Sequence, residues 1–133
     1  TVDGITILND AYNASPASMR AALTTLRDIA NESRKIAILG DMLELGKLSD
    51  ISHFEIGELA QTVGIDFLIT VGQKSRRIAE GALGKGMDVK KIFSCTNPDE
   101  VNEILTAKVK SGDVVLIKAS RGMQLEKVVN FLF

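Results

Sequence analysis

Three clusters of polar side chains stand where apolar runs end, and their residue types suit the recognition of charged ligands. The first is Asn9-Asp10-Ala11-Tyr12-Asn13-Ala14-Ser15-Pro16. Asp10 and Asn13 offer a carboxylate and an amide to a polar ligand, and Tyr12, the only tyrosine, can stack on a planar group or cover the edge of the core. Plainer readings stand beside these: Asp10 and Asn13 as turn or cap residues, Ser15 as a helix N-cap with Pro16 at the first helical position. The second cluster is Gly40-Asp41-Met42-Leu43-Glu44-Leu45-Gly46. Asp41 and Glu44 form a candidate carboxylate pair for a metal or an amine, or else are solvated loop acids. The third is Lys118-Ala119-Ser120-Arg121-Gly122-Met123, in which Arg121 and Lys118 are candidate clamps for a carboxylate or phosphate. The single histidine, His53, beside Phe54, reads as a surface or packing residue, and the single cysteine, Cys95, as inert.

The elements that must carry these loops are legible from hydrophobic periodicity. Short, continuous Ile/Val-rich runs at Ile5–Leu8, Ile36–Leu39, Phe67–Val71, Lys91–Phe93 and Val114–Ile117 read as buried parallel strands. Helical patterns alternate with them. The first covers Pro16 to Asn31, with Met19, Ala22, Leu23, Leu26, Ile29 and Ala30 on one face. Others cover Ile51 to Val63, Ser75 to Leu83, a helix opened by Asn97-Pro98-Asp99-Glu100 that buries Val101, Ile104, Leu105 and Val109, and Leu125 to Leu132. This β-α alternation predicts a three-layer α/β/α, Rossmann-like sandwich around a mostly parallel sheet of five to six strands. In such sheets ligands meet the carboxyl ends of the strands, and a helix N-terminus there presents free N–H groups to an anion.

Composition narrows the function classes. The 133 residues suit one domain, and 45% hydrophobic with 25% charged residues is ordinary for a globular chain. A net charge of -1 with no long cationic run points away from nucleic-acid and membrane surfaces. One cysteine allows no internal disulfide and fits a reducing, cytoplasmic setting. Entry into a strand almost at once, and an apolar end at Phe131-Leu132-Phe133, suggest a domain excised from a longer protein. Neither Gly81–Gly86 nor Gly72-Gln73-Lys74-Ser75 completes a phosphate loop, and no G-x-G-x-x-G follows the first strand. There is no paired Cys/His metal spacing. A whole nucleotide-hydrolysing site is therefore not expected in this chain, although one wall of such a site is.

Taken together, the three loops resemble the C-terminal domain of the Mur ligases, closest to the branch that adds D-alanyl-D-alanine. The matching segments are Asn9 to Met19, Leu39 to Gly46 with His53 downstream, and Ile117 to Arg121 followed by Glu126. Ser15 stands where the family often has Asn, and Ala119 where it often has Gly. The resemblance implies a three-domain cytoplasmic enzyme that uses ATP and Mg²⁺. Its central domain, absent here, would hold the P-loop and the metal. It would join D-Ala-D-Ala to UDP-MurNAc-tripeptide through an acyl phosphate, for peptidoglycan precursors.

The same resemblance implies a six-stranded sheet with one antiparallel strand, Thr1–Asp3 being its remnant, and a last strand inserted between the first two. It implies that Asp10, Tyr12 and Asn13 face ATP. Ser120, Arg121 and Lys118 would lie by the incoming dipeptide, and Asp41 and Glu44 would shape its pocket or a domain interface. No complete catalytic set is expected in this chain alone. A stand-alone flavodoxin-like binding module, and a sister ligase with another amine acceptor, remain as alternatives.

Overall fold

The computed structural model describes residues 4–10 and 14–119, Asp10 by its backbone alone. Tyr12, Asn13, Ser120, Arg121, the proposed remnant strand Thr1–Asp3 and the helix read over Leu125 to Leu132 lie outside the described residues.

Five strands form one sheet: β1 (Thr6–Asp10), β2 (Lys35–Gly40), β3 (Phe67–Val71), β4 (Ile92–Cys95) and β5 (Val114–Lys118). Their order is β1-β5-β2-β3-β4 and every pairing is parallel. The antiparallel sixth strand is not among the described residues. Helices α1 (Pro16–Ala30), α2 (Ser49–Thr62), α3 (Arg76–Gly84) and α4 (Pro98–Lys108) connect the strands. The first three connections step across the sheet in one direction, and α4 returns across it from β4 to β5. With right-handed crossovers, that reversal moves α4 to the opposite face.

The core divides accordingly. Met19, Leu23 and Leu26 of α1, Ile56 and Ala60 of α2, and Ile78 and Ala82 of α3 pack on Ala37, Leu39, Leu68, Val114 and Leu116. Val101 and Leu105 of α4 pack on Ile36, Ile38, Ile69, Val115 and Ile117. Strands covered on both faces need apolar residues at nearly every position, which is why β2, β5 and, but for Thr70, β3 read as continuous apolar runs.

Ile29 does not join the buried face of α1, being 52% exposed. At 100° per residue it lies roughly a quarter-turn from the stripe centred on Met19, Leu23, Leu26 and Ala30. The start of α2 lies two residues earlier than its periodicity suggests, because a turn of 3-10 helix at Gly46–Leu48 runs straight into it. Helices α2 and α3 meet backbone to backbone: a Cβ on Gly57 would strike the Ile78 carbonyl, and one on Gly81 the Phe54 carbonyl.

The amino edge of the sheet is locked by charge. Arg34 grips Asp113 through both carboxylate oxygens, at 2.9 and 2.6 Å, and also donates to the Lys108 carbonyl at 2.7 Å. Its guanidinium lies 5.1 Å from the Phe67 ring centroid. Burial would raise the Asp113 carboxyl, but the Arg34 hydrogen bonds, the Lys110 N–H and the Arg34 charge outweigh it and hold the group below its ordinary value.

A depressed carboxyl contributes stability that is complete above the ordinary aspartate range and is lost as pH falls through the folded value. Asp113→Asn should therefore cost about 2 kcal/mol in urea unfolding at neutral pH. The loss of stability on acidification should also be shallower in the variant than in the parent. Parallel acid limbs in the two proteins would refute the assignment.

Candidate functional site

Strand β5 creates the site by where it sits. Lys118 pairs in register with Asp10 of β1 on one side and with Leu39 of β2 on the other. Neighbouring strands lie about 4.8 Å apart, so the starts of three loops distant in sequence fall within roughly 10 Å of one another. The carboxyl ends of β1, β5 and β2 thus bring the starts of the first, third and second polar clusters to one edge; the strand order is the one the resemblance implied.

The first loop leads into α1 through a capping box. Ser18 N–H donates to Ser15 Oγ at 3.1 Å, and Ser15 N–H donates to Ser18 Oγ at 2.8 Å. Ser15 is therefore the N-cap its sequence suggests, followed by Pro16 at the first helical position. Capping fixes the direction in which the chain leaves the edge, and the positive end of the α1 dipole faces the same side.

Lys118 is only 2% exposed. It shares the sheet face of Val114 and Leu116, toward α1. There it lines a cavity of about 550 Å³ together with Asn9, Ser18, Ala22, Thr25 and Leu116. The wall is mostly apolar, with Asn9, Ser18, Thr25 and Lys118 as its polar groups, the usual make-up of a small-molecule recess.

The second loop is held rigidly, and its two acids part company. Asp41 is buried, and its Oδ1 accepts the Ser75 N–H at 2.7 Å, at the start of α3. A Cβ on Gly72, whose φ is +109°, would stand 2.6 Å from that oxygen, so the close approach of the two loops requires glycine. Glu44 is exposed, with a left-handed φ of +62°. Asp41 thus caps a neighbouring helix while Glu44 faces solvent. Among the described residues no three His, Cys, Asp or Glu side chains gather to hold a metal ion.

His53 has a larger part than its sequence suggested. It is fully buried in α2 and reaches back to the loop. Its Nε2 accepts the Met42 N–H at 3.0 Å, so the ring proton is assigned to Nδ1, which donates to the Ser49 carbonyl at 2.7 Å. One imidazole therefore ties the loop after β2 to the first turn of α2. The signal available in sequence was the spacing of His53 four residues after Ser49, which places the ring over the helix start. Cys95 is buried, and burial foremost, with Glu100 and Glu103 nearby, pushes its thiol up to about 11. It is protonated and unreactive at neutral pH.

The capping role of Asp41 makes a specific prediction. Asp41→Ala should lower stability by about 1–2 kcal/mol and speed hydrogen exchange at the Ser75 amide. An unchanged urea midpoint together with unchanged exchange would remove Asp41 from the frame of the loop.

Comparison with known proteins converges on one family. Residues 1–121 match the family model described as "Mur ligase, glutamate ligase domain". The UDP-N-acetylmuramoyl-tripeptide–D-alanyl-D-alanine ligase of Bacillus subtilis strain 168 is 40% identical over 132 residues, 99% of this chain and 29% of that protein. The protein of the same name from Escherichia coli K12 is 33% identical, over 95% of this chain and 26% of its own length. Among solved structures, the MurF ligase of Thermotoga maritima in complex with ADP superposes with a TM-score of 0.80 at 30% identity. That match covers 99% of this chain and 29% of the other. The chain spans less than a third of the length of these relatives. With its fold, its motif order and these relatives in agreement, the chain belongs to the Mur ligase family.

Proposed function

We propose that this chain is the C-terminal, amine-delivering part of a cytoplasmic ATP-dependent ligase that joins D-Ala-D-Ala to UDP-MurNAc-tripeptide. The observation that carries the reading is that the strands from which the three motif loops start are neighbours, β5 lying between β1 and β2. The names of the relatives supply the reaction, and the ADP bound to the Thermotoga ligase supports a nucleotide role.

In this reading a carboxylate oxygen of the tripeptide attacks the γ-phosphorus of ATP, and ADP leaves. The amine of the dipeptide then attacks the acyl carbon and loses a proton, and the phosphate departs with the bonding electrons. Asp10, Tyr12 and Asn13 face the nucleotide. Ser120 and Arg121 lie by the dipeptide, whose carboxylate pairs with Arg121. Lys118, at the cavity wall, adds positive charge to the same edge. Asp41 serves by holding the second loop in place, and Glu44 is free to meet a ligand or another domain. In this reading Mg²⁺ and the P-loop belong to parts of the enzyme outside this chain. What this chain contributes is position and the exclusion of water from an intermediate that water would destroy.

In the full-length enzyme, Asp10→Ala should lower kcat/KM by about 100-fold or more while leaving the melting temperature within a few degrees. A variant that simply unfolds would count against a nucleotide-facing role. The 133-residue chain alone should ligate nothing. Offering the full-length enzyme D-Ala-D-Ala, glutamate and a diamino acid as competing amines tests the substrate. Preference for either of the latter two would overturn the assignment.

A further inference from the structure

His53 is the one buried ionisable side chain of α2, and the proposed chemistry leaves it without a task. A leucine would fill the same space without the cost of drawing an imidazole out of water. What leucine cannot supply is a hydrogen-bond acceptor. A backbone N–H can only donate, so the Met42 N–H at 3.0 Å fixes Nε2 as the acceptor and leaves Nδ1 to donate to the Ser49 carbonyl at 2.7 Å. The ring therefore has two separable bonds, one to the loop after β2 and one to its own helix.

The bond to Met42 acts where the loop takes its direction. Leu39 pairs in register with Lys118, so Met42 begins within about 10 Å of the end of β5. The Met42 side chain is fully buried in the core layer of α1, α2 and α3. Holding its N–H as well fixes the plane of the Asp41–Met42 peptide. Past that point residues 43 to 48 are exposed or half-buried, with left-handed φ of +62° at Glu44 and +56° at Gly46. The course of Leu43 and Glu44 away from the core is thus set at Met42, and His53 holds the group that sets it.

We propose that His53 is a positioning residue for the incoming amine: through Met42 it sets the pose of Leu43 and Glu44, which bound the dipeptide on the side away from the nucleotide. The inference rests on the proposed function, in which the loop after β1 faces ATP and the loop after β5 lies by the dipeptide. With β5 between β1 and β2, the loop after β2 is the remaining neighbour of the β5 loop. Leu43 offers an apolar contact to a methyl side chain, and Glu44 a negative charge to the arriving ammonium. Neither residue makes or breaks a covalent bond. His53 therefore acts on capture of the dipeptide, by sparing the ordering of the loop at that moment, and leaves the acyl-phosphate step as it is.

The test uses the full-length enzyme with three substitutions that separate the two bonds. His53→Gln places an amide oxygen near the position of Nε2 and keeps the bond to Met42. His53→Asn places an amide N–H near Nδ1 and keeps only the bond to Ser49. His53→Leu keeps neither. Steady-state constants are measured for each substrate, with hydrogen exchange at the Met42 amide in the same proteins. The asparagine and leucine variants should raise KM for D-Ala-D-Ala about tenfold, with kcat and the KM for ATP within about twofold of the parent, and should speed exchange at Met42. The glutamine variant should restore both.

A purely structural histidine would move every constant together with the melting temperature, and glutamine would do no better than asparagine; that result overturns the proposal. So does an unchanged KM for the dipeptide when exchange at Met42 is faster. Should the leucine variant fail to fold, the asparagine and glutamine pair decides alone. A parent enzyme that prefers another amine defeats the proposed function instead, and the same KM comparison, run with that amine, still decides His53.

Discussion

Insertion of β5 between β1 and β2 is the constraint on which the rest of the structure depends. Without it Asp10 and Gly40 would begin adjacent loops, and Lys118 would end a strand elsewhere. With it, one strand supplies the floor between two others and carries the third polar loop into the gap. The insertion is possible because α4 returns across the opposite face from α1, α2 and α3. Val115 and Ile117 can then pack on one layer while Val114 and Leu116 pack on the other. A strand buried on both faces has little room for charge, and this is why Lys118, at its very end, is the first charged residue of β5.

The two edges of the sheet are built on different principles. The amino edge is closed by interactions that satisfy one another: Arg34 with Asp113, Asp113 with the Lys110 N–H, and Asp66 with the Lys35 N–H at 2.8 Å. The carboxyl edge holds its loops from below and leaves their upper surfaces unspent. Asp41 and His53 use their polar atoms on backbone groups beneath the loop, while Glu44, Leu43 and Leu48 face outward. A frame of this kind preorganises a surface for something else to meet, and reduces the ordering cost when that meeting occurs.

Much of this was legible in the chain itself. The five strands were found within one or two residues, and Ser15-Pro16 and Asn97-Pro98 marked helix starts that the structure bears out. Those signals are local: a cap needs only the next turn, and a buried strand announces itself residue by residue. Ile29 was misplaced because periodicity gives a stripe but not its width, and a residue a quarter-turn from the centre falls on whichever side the neighbouring layer decides. Asp41 and Glu44, three positions apart, read either as a carboxylate pair or as solvated loop acids; Asp41 is buried against the Ser75 N–H, and Glu44, with a left-handed φ, is exposed.

The sequence by itself determined the elements, their caps, the apolar character of the sheet and, through the motifs, the family. Those features depend on neighbours along the chain, where spacing and residue type suffice. Tertiary structure alone decided that Asp41 would cap a helix 34 positions away and that His53 would bind the loop before it. It alone supplied the close approach of Gly57 to the Ile78 backbone, and of Gly81 to the Phe54 backbone, that lets α2 and α3 touch. Each of these is a meeting of groups whose separation in space is set by strand order and helix packing. No periodicity records such a meeting, because the residues between the partners carry no trace of it.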